Sequence, residues 1–305
     1  MKFELKRILV GADFSECSAA ALRLAEQIAE KFSATLVVLH ALPPPTSTSP
    51  LSRQVLLPAR SEALSAVENQ LIMFIRGVIG RKPMPDYRIV EGHAAEAVLF
   101  AAGYEKAGMI VLGTRGQGGL TRLTLGSVAE QILGLASVPV LTICPHRATK
   151  RRPSTLRRIL CPVNYSAAAG KAIDVAVSLG RRFGAEVIAL HVIDKKSFDG
   201  DLDAETERLR VWTRGLVPRP TRPEPLIVAG SSGAEVLRYA EHNDIDLIVV
   251  GARRERFSDA TVFGTTTERV TRHAPCAVLT VTVVAESEPS PSEAAEPARQ
   301  RRRPA

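Results

Sequence analysis

The chain has 305 residues, 45% hydrophobic and 24% charged, a balance typical of a soluble globular protein with about two domains. No apolar run approaches the roughly 18 residues of a membrane-spanning helix. The first apolar run, Ile8–Val10, is too short for the core of a signal peptide. We therefore expect a cytoplasmic protein without membrane association. The four cysteines lack CxxC spacing, which favours reduced thiols and no metal held by protein side chains.

The formal net charge of +8 raises the question of nucleic-acid binding. Much of the excess lies in a stretch at 146–158 and near the end of the chain at 299–303, and charge runs of this kind are usually solvated. Aromatic residues make up only 5% of the chain and are not interleaved with the basic clusters. Because no surface for stacking bases is visible, we expect no nucleic-acid partner.

The predicted elements of the first half alternate between strand and helix. In chain order, strands are expected at 8–10, 35–40, 86–91, 109–112 and 140–143, and helices at 18–32, from about 50 to 80, at 94–106 and from 127. The first strand is a short continuous apolar run, as expected of a strand that is covered on both faces. Strands that alternate with helices pair in parallel through right-handed crossovers. The pattern predicts an α/β Rossmann-like domain, a five-stranded parallel sheet with helices on both faces.

The second half of the chain repeats the first. Residues 158–169 match residues 7–18 at an offset of 151, whereas Gly251 matches Gly113 at an offset of 138. A shared framework with one internal deletion indicates duplication. We predict one domain at 1–146, a basic linker at 147–156, a second domain at 157–284 and a disordered tail at 285–305. The tail is rich in Glu, Ser, Pro, Ala and Arg and cannot bury a core.

A glycine-rich segment follows the fourth strand and contains Gly113, Gly116 and Gly126, the last directly before Ser127. Glycine lets a ligand approach the backbone without meeting a Cβ, and the next predicted helix begins where its first amides can face an anion. Arg115 lies in the same loop and is expected to reach terminal phosphates. Together these features predict a site for the phosphate chain of a nucleotide.

Each feature also has a purely structural interpretation. Ser127 and Glu130 fit the S-x-x-E pattern of a helix capping box, and Thr265 and Glu268 repeat it in the second copy. Asp13, which follows the first strand, is equally well explained as a turn residue at the start of a helix. Only the combination of features after a buried strand favours the ligand site.

The spacing of Gly113, Gly116, Gly126 and Ser127 resembles the ATP-binding motif of the universal stress proteins. Segments 8–15, 39–41 and 90–92 resemble three other landmarks of that family in the same order. The resemblance covers both repeats, so the chain is similar to the tandem type. It implies two Rossmann-like domains of the adenine nucleotide α-hydrolase type.

The resemblance also implies ATP in the first domain, with Mg2+ accompanying the triphosphate. The residues that it places around the nucleotide are Gly11, Ala12, Asp13, Ala41, Val90, Leu112, Gly113, Arg115, Gly116, Gly126, Ser127 and Val128. Asp13 would contact the adenine region, and the residues after Gly126 would hold the phosphate chain. Gly11 stands where many members of the family have proline, and we expect this wall of the pocket to be loosened.

The second copy departs from the pattern. Its corresponding residues are Asn164, Gly251, Arg254, Gly264 and Thr265. Arg254 replaces the glycine of the first loop, so a long side chain is expected where a phosphate would approach. Asn164 replaces an aspartate and removes a carboxylate acceptor. We expect this site to be weakened or lost; the alternative is that Arg254 neutralises a phosphate.

These implications favour an ATP-binding stress-response protein that acts as a nucleotide-dependent sensor or regulator. No Walker A sequence, Gly-x-Ser-x-Gly elbow or carboxylate pair accompanies the glycine loop, so no catalytic residue is assigned. Two alternatives stay open: a weak ATPase or autophosphorylating enzyme, and an interaction scaffold with vestigial nucleotide pockets.

The resemblance also implies pairing between the two domains at the last strand of each copy, 139–143 and 277–281, because single-domain members of the family pair through this strand. Such pairing would make the chain an internal pseudo-dimer. A further homodimer and an unidentified regulatory protein partner also remain open.

Overall fold

The computed structural model describes residues 3–44, 50–80, 83–114, 125–143, 156–194, 200–217, 222–254 and 264–284. The strands within these ranges are β1 (Arg7–Gly11), β2 (Thr35–Leu42), β3 (Asp86–Glu91), β4 (Met109–Gly113), β5 (Val140–Ile143), β6 (Arg158–Val163), β7 (Glu186–Ile193), β8 (Glu224–Ala229), β9 (Leu247–Arg254) and β10 (Ala277–Val284). The helices are α1 (Glu16–Phe32), α2 (Pro50–Ile79), α3 (Ala94–Tyr104), α4 (Ser127–Leu135), α5 (Ala167–Phe183), α6 (Leu202–Leu216), α7 (Ser232–His242) and α8 (Thr265–His273).

The strands form one sheet in the order β3-β2-β1-β4-β5-β10-β9-β6-β7-β8. Within each half all neighbouring strands are parallel, and β5 and β10 pair antiparallel in the middle. The predicted fold class, two Rossmann-like halves with five parallel strands each, is therefore confirmed. The predicted tail at 285–305 and nearly all of the predicted linker lie outside the described residues.

The junction between the halves is the strand pair predicted from the sequence. Leu141 of β5 faces Leu279 of β10, with one residue pair on either side in register. Both leucines belong to one hydrophobic core, which continues under α1 and α5 across the two halves. On the other face, Glu130 of α4 and Arg272 of α8 form an ion pair at 2.7 Å. The halves are thus joined by a ladder, a shared core and a contact between helices.

Local capping explains why the first helix of each half begins where it does. The Ser15 hydroxyl oxygen accepts the N–H of Ser18 at 3.1 Å, and the Ser166 hydroxyl oxygen accepts the N–H of Ala169 at 3.2 Å. A side-chain acceptor at this position satisfies one of the orphan amides of a helix. α1 therefore begins at Glu16, two residues before the predicted start.

In the first half, a buried carboxylate joins the end of α3 to the sheet. Glu105, 5% exposed, accepts hydrogen bonds from Arg7 at 2.9 Å and from Arg88 at 2.9 Å. Arg7 also donates to the Glu105 carbonyl oxygen at 2.8 Å. A buried carboxylate is tolerated when it is paired and hydrogen-bonded in this way.

Candidate functional site

The predicted site residues of the first domain that the structure describes come together where the strand order reverses. β1 lies between β2 and β4, and Gly11 pairs with Leu112 of β4 in register. Ala41 of β2 pairs with Val90 of β3. The N–H of Gly126 donates to the carbonyl oxygen of Thr114 at 2.8 Å, which brings the start of α4 to the end of β4. In open α/β sheets, ligands bind in the crevice outside the carboxyl ends of strands at this point.

One wall of this crevice is apolar. Ala41, Val90 and Leu125 are partly buried and pack on the core cluster that contains Leu112. A Cβ at Gly11 would lie 2.8 Å from the Cδ2 atom of Leu112, so the leucine occupies the space that a larger residue at position 11 would need. The loosening of the wall expected from Gly11 stays a prediction. In the second copy, the glycine is replaced by a proline in β6, and the leucine is replaced by the smaller valine in β9.

Asp13 forms the turn that precedes α1. One of its carboxylate oxygens, Oδ1, accepts the N–H of Ser15 at 3.0 Å and the Ser15 hydroxyl at 2.5 Å. Asn164 makes the same turn in the second copy, because its Oδ1 accepts the N–H of Ser166 at 3.3 Å and the Ser166 hydroxyl at 2.7 Å. The structural interpretation of this position is confirmed, and a carboxylate is not needed for it.

The residue after this turn is aromatic and has a left-handed backbone in both copies, Phe14 at φ 63° and Tyr165 at φ 59°. The Phe14 ring stacks on His40, with ring centroids 4.4 Å apart. His40 Nδ1 lies 2.8 Å from the carbonyl oxygen of Ala12, and His191 Nδ1 lies 2.8 Å from that of Val163. Because a carbonyl only accepts, Nδ1 carries the proton in each ring. These histidines fix the ends of β1 and β6.

Gly113 and Gly251 are required by helix packing. A Cβ at Gly113 would lie 2.7 Å from the carbonyl carbon of Cys17, and one at Gly251 would lie 2.4 Å from the carbonyl oxygen of Ala168. Real Cβ atoms do not make such contacts, so glycine lets the first turn of α1 or α5 cross the end of β4 or β9. Their presence in both copies therefore does not distinguish a nucleotide site from a structural one.

The capping-box prediction for α4 and α8 is wrong. Gly126 and Gly264 are the N-cap residues, so Ser127 and Thr265 are the first residues of the helices and cannot cap them. Neither helix has a side-chain hydrogen bond at its cap. Ser127 is exposed, and the amides of the first turn of α4 have no partner within the helix. This arrangement leaves donors and the positive end of the helix dipole facing the crevice.

The loop between β4 and α4 holds the remaining predicted residues. Arg115 and Gly116 fall at 115–124 and lie outside the described residues. In the second copy, Arg254 is the last residue of β9 and pairs with Val284 of β10. The expectation that Arg254 lies in a loop is therefore wrong: the strand continues along β10 for three residues beyond Gly251.

A cavity of about 130 Å³ lies at the corresponding position of the second domain, between the ends of β6, β7 and β9 and the start of α8. Its lining includes Asn164, Gly251, Thr266, Thr267, Ser232 and the apolar side chains of Leu190, Val192, Val236 and Val250. At the 138-residue offset, the three hydroxyl residues replace Ala94, Val128 and Ala129 of the first domain. Sequence reasoning missed these residues, although the offset alone pairs them with the predicted site.

On the opposite face of the second half, a polar cluster packs beside α6. Tyr165 donates a hydrogen bond to Glu205 at 2.6 Å, and Arg208 lies over the Tyr165 ring. The hydrogen bond from Tyr165 lowers the pKa of the Glu205 carboxyl, and burial together with the same bond raises the pKa of Tyr165. The cluster therefore belongs to the packing of α6 and not to the crevice.

The described part of the chain shows neither a membrane-spanning helix nor a cluster of metal-binding side chains. None of its helices combines the length and the apolar character needed to cross a membrane. It also contains no group of three or more His, Cys, Asp or Glu side chains arranged to hold a metal ion.

Comparison with known proteins gives consistent matches. The sequence profile of the Universal stress protein family matches residues 4–143 and 155–282. A universal stress protein of Thermus aquaticus is 35% identical over 139 residues, or 45% of this chain and 98% of the relative. One of Mycolicibacterium smegmatis is 29% identical over 190 residues, or 61% of this chain and 63% of the relative. The crystal structure of a universal stress protein from Archaeoglobus fulgidus has the same fold, with a TM-score of 0.69 and 23% identity, and the match covers 90% of this chain and 98% of that one.

Proposed function

The chain belongs to the universal stress protein family, and we propose that it is an ATP-binding, nucleotide-dependent sensor or regulator of the stress response. The ATP site in this proposal is the crevice of the first domain. The observation that carries it is the convergence of Asp13, Ala41, Leu112 and the uncapped start of α4 at the point where the strand order reverses.

In this proposal the base and ribose lie against the wall formed by Ala41, Val90 and Leu112. Flat rings gain most from such apolar surfaces, and a few placed polar groups then fix their orientation. Asp13 supplies an acceptor at the rim, since an ionised carboxylate only accepts hydrogen bonds. Its turn with Ser15 holds it at the end of β1.

The phosphate chain in this proposal lies at the start of α4. The amides of Ser127, Val128 and Ala129 precede the first intrahelical bond, which runs from Glu130 N–H to the carbonyl oxygen of Gly126 at 3.0 Å. Amides in this position bind anions, helped by the helix dipole. Bound Mg2+ would neutralise phosphate charge. Nucleotide sites commonly hold it through phosphates, waters and one or two carboxylates, so a three-residue protein ligand set is not required.

A route for reporting occupancy runs along α4. The helix begins at the proposed phosphate site and carries Glu130 in its first turn, where the carboxylate pairs with Arg272 of α8 at 2.7 Å. α8 in turn begins at the cavity of the second domain, which Thr266 and Thr267 line. A shift of α4 on binding would thus reach the second domain through a direct contact.

Titration calorimetry with ATP and Mg2+ tests the proposal. We expect binding by the wild type and its loss in Gly116→Arg, which copies the change found in the second domain. Gly103→Arg adds the same charge at an exposed position in α3, where an added Cβ meets nothing within 4 Å, and should bind like the wild type. A bound ligand at a hundredfold excess over Kd should also add about 2.7 kcal/mol to the apparent stability.

No heat and no thermal shift with the wild type would contradict the proposal. Phosphate release should be measured in the same samples. Binding without turnover agrees with a sensor, whereas turnover that Gly116→Arg abolishes would favour the enzyme. Mass spectrometry of the denatured, freshly purified protein would identify any nucleotide that it retains.

A further inference from the structure

We propose that the cavity of the second domain is a separate binding site, for an uncharged heterocycle of nucleobase size that presents a carbonyl group to Asn164. An oxopurine such as hypoxanthine, free or as its nucleoside, has this chemistry. The proposal concerns residues of the second domain only, and it does not depend on ATP binding in the first.

The size of the cavity suits a flat ring. Its volume of about 130 Å³ is close to the roughly 150 Å³ of an engineered apolar cavity that takes up a benzene-sized ring. Leu190 and Val192 line it from β7, Val250 from β9 and Val236 from α7. These side chains provide the apolar contact that the faces of a flat ring require.

The charge of the cavity indicates a neutral ligand. None of the twelve residues that line it has an ionisable side chain. A phosphate there would meet the first amides of α8 but no charged side chain among the described residues, so the proposed ligand is uncharged. The polar groups present are the Asn164 amide and the hydroxyls of Ser232, Thr266 and Thr267, and groups of this kind bind the polar edge of a heterocycle.

Asn164 decides which edge is preferred. Its Oδ1 atom accepts from the backbone N–H and the hydroxyl of Ser166, and the backbone donor fixes which side-chain atom is oxygen. The side-chain NH2 group is then available to donate to a ligand carbonyl. Asp13 occupies the corresponding position in the first domain and offers only acceptors, which suit an amino group instead. One substitution between the copies thus reverses the hydrogen-bond preference at the same point of the fold.

The test is ligand-observed NMR on the full chain with hypoxanthine, inosine, adenosine and ATP as probes. Ser232→Trp should close the mouth of the cavity from an exposed position, so the binding that it removes belongs to the second domain. Ala94→Trp makes the same change at the corresponding position of the first domain and should leave that binding intact. Thermal unfolding of each variant checks that the fold is kept.

We expect inosine to bind the second domain at least tenfold more tightly than adenosine, about 1.4 kcal/mol. Asn164→Asp should reverse this order, and it should fold, because Asp13 makes the same turn in the first domain. A comparison of hypoxanthine with inosine shows whether the free base or the nucleoside is the tighter ligand.

Three outcomes would overturn the proposal: no binding of either oxopurine at millimolar concentration, an order of affinities that Asn164→Asp leaves unchanged, or displacement of inosine from this site by ATP. If inosine binds as expected while ATP fails to bind the first domain, only the proposed function is refuted.

Discussion

The substitution Gly113→Ala tests whether Gly113 serves the packing of the fold or only the approach of a ligand. A Cβ there would lie 2.7 Å from the carbonyl carbon and the Cβ of Cys17, and 2.8 Å from the amide nitrogen of Ser18. Two of these three atoms belong to the backbone of the first turn of α1, so they cannot rotate away and the helix must shift. Overpacking of this kind costs about 1–3 kcal/mol. We expect Gly113→Ala to lower the free energy of unfolding by this amount with no nucleotide present.

Two matched variants make the result specific. In Gly251→Ala, the added Cβ would lie 2.4 Å and 2.5 Å from the oxygen and carbon atoms of the Ala168 carbonyl group. Its loss of stability should therefore be at least as large, although the second copy lacks the second glycine of the motif. Gly103→Ala lies in α3, where an added Cβ meets nothing within 4 Å. Alanine there should stabilise the protein by about 0.5–1 kcal/mol, because it lowers the entropy of the unfolded chain in a helical position.

Urea unfolding gives the measurement. Circular dichroism follows the whole sheet, and the fluorescence of Trp212, the only tryptophan of the chain, follows α6 in the second half. Because the halves share a core, we expect the two transitions to coincide in every variant. If Gly113→Ala and Gly251→Ala unfold at the wild-type urea concentration while ATP binding is lost, the glycine serves the ligand and the packing argument is refuted.

Three further substitutions test other contacts. Glu105→Gln removes the buried carboxylate between two arginines, and we expect urea unfolding to show a loss of about 1–3 kcal/mol; an unchanged midpoint would contradict this. Tyr165→Phe removes the hydrogen bond that lowers the pKa of Glu205. A lowered folded-state pKa stabilises the fold only above the ordinary pKa of the carboxyl, so a loss of about 1–2 kcal/mol at pH 7 should fade below about pH 4. A loss that is the same at every pH would refute this assignment. Glu130→Gln breaks the partly exposed pair with Arg272 and should change stability by less than about 1 kcal/mol. It should nevertheless reduce any protection from hydrogen exchange that ATP gives to α8, and an equal effect of ATP in both proteins would exclude the proposed route.

The hydrophobic pattern alone predicted the strands that are buried on both faces of the sheet. β5 begins and ends at the predicted residues 140–143, and so does β3 at 86–91, although β3 is an edge strand without a buried residue. β1 and β4 extend at most one residue beyond the predicted ends. Burial constrains such runs so strongly that composition and spacing suffice. The pairing of β5 with β10 was predicted from the resemblance to the universal stress proteins and not from the hydrophobic pattern.

Predictions that depended on single polar residues were less accurate. The S-x-x-E pattern at Ser127 and Glu130 is compatible with a capping box, but α4 begins one residue earlier than such a box requires, with Gly126 as the cap. Glu130 instead pairs with Arg272, a residue 142 positions away in the sequence. A local pattern cannot predict such a partner, because the contact exists only after the two halves have joined. The path of β9 through Arg254 has the same cause: β10 supplies the paired edge.

The duplication serves as an internal control for assigning roles. Features kept in both copies, such as the glycine at the end of β4 and β9 and the aspartate or asparagine turn before α1 and α5, are explained by contacts that both copies make. Features that differ show where the copies have diverged. Two of these differences lie at the cavity of the second domain and its counterpart: Asp13 against Asn164, and alanine or valine against three hydroxyl residues. The turn and the helix packing are made in both copies, so these substitutions are the ones on which the two binding proposals differ.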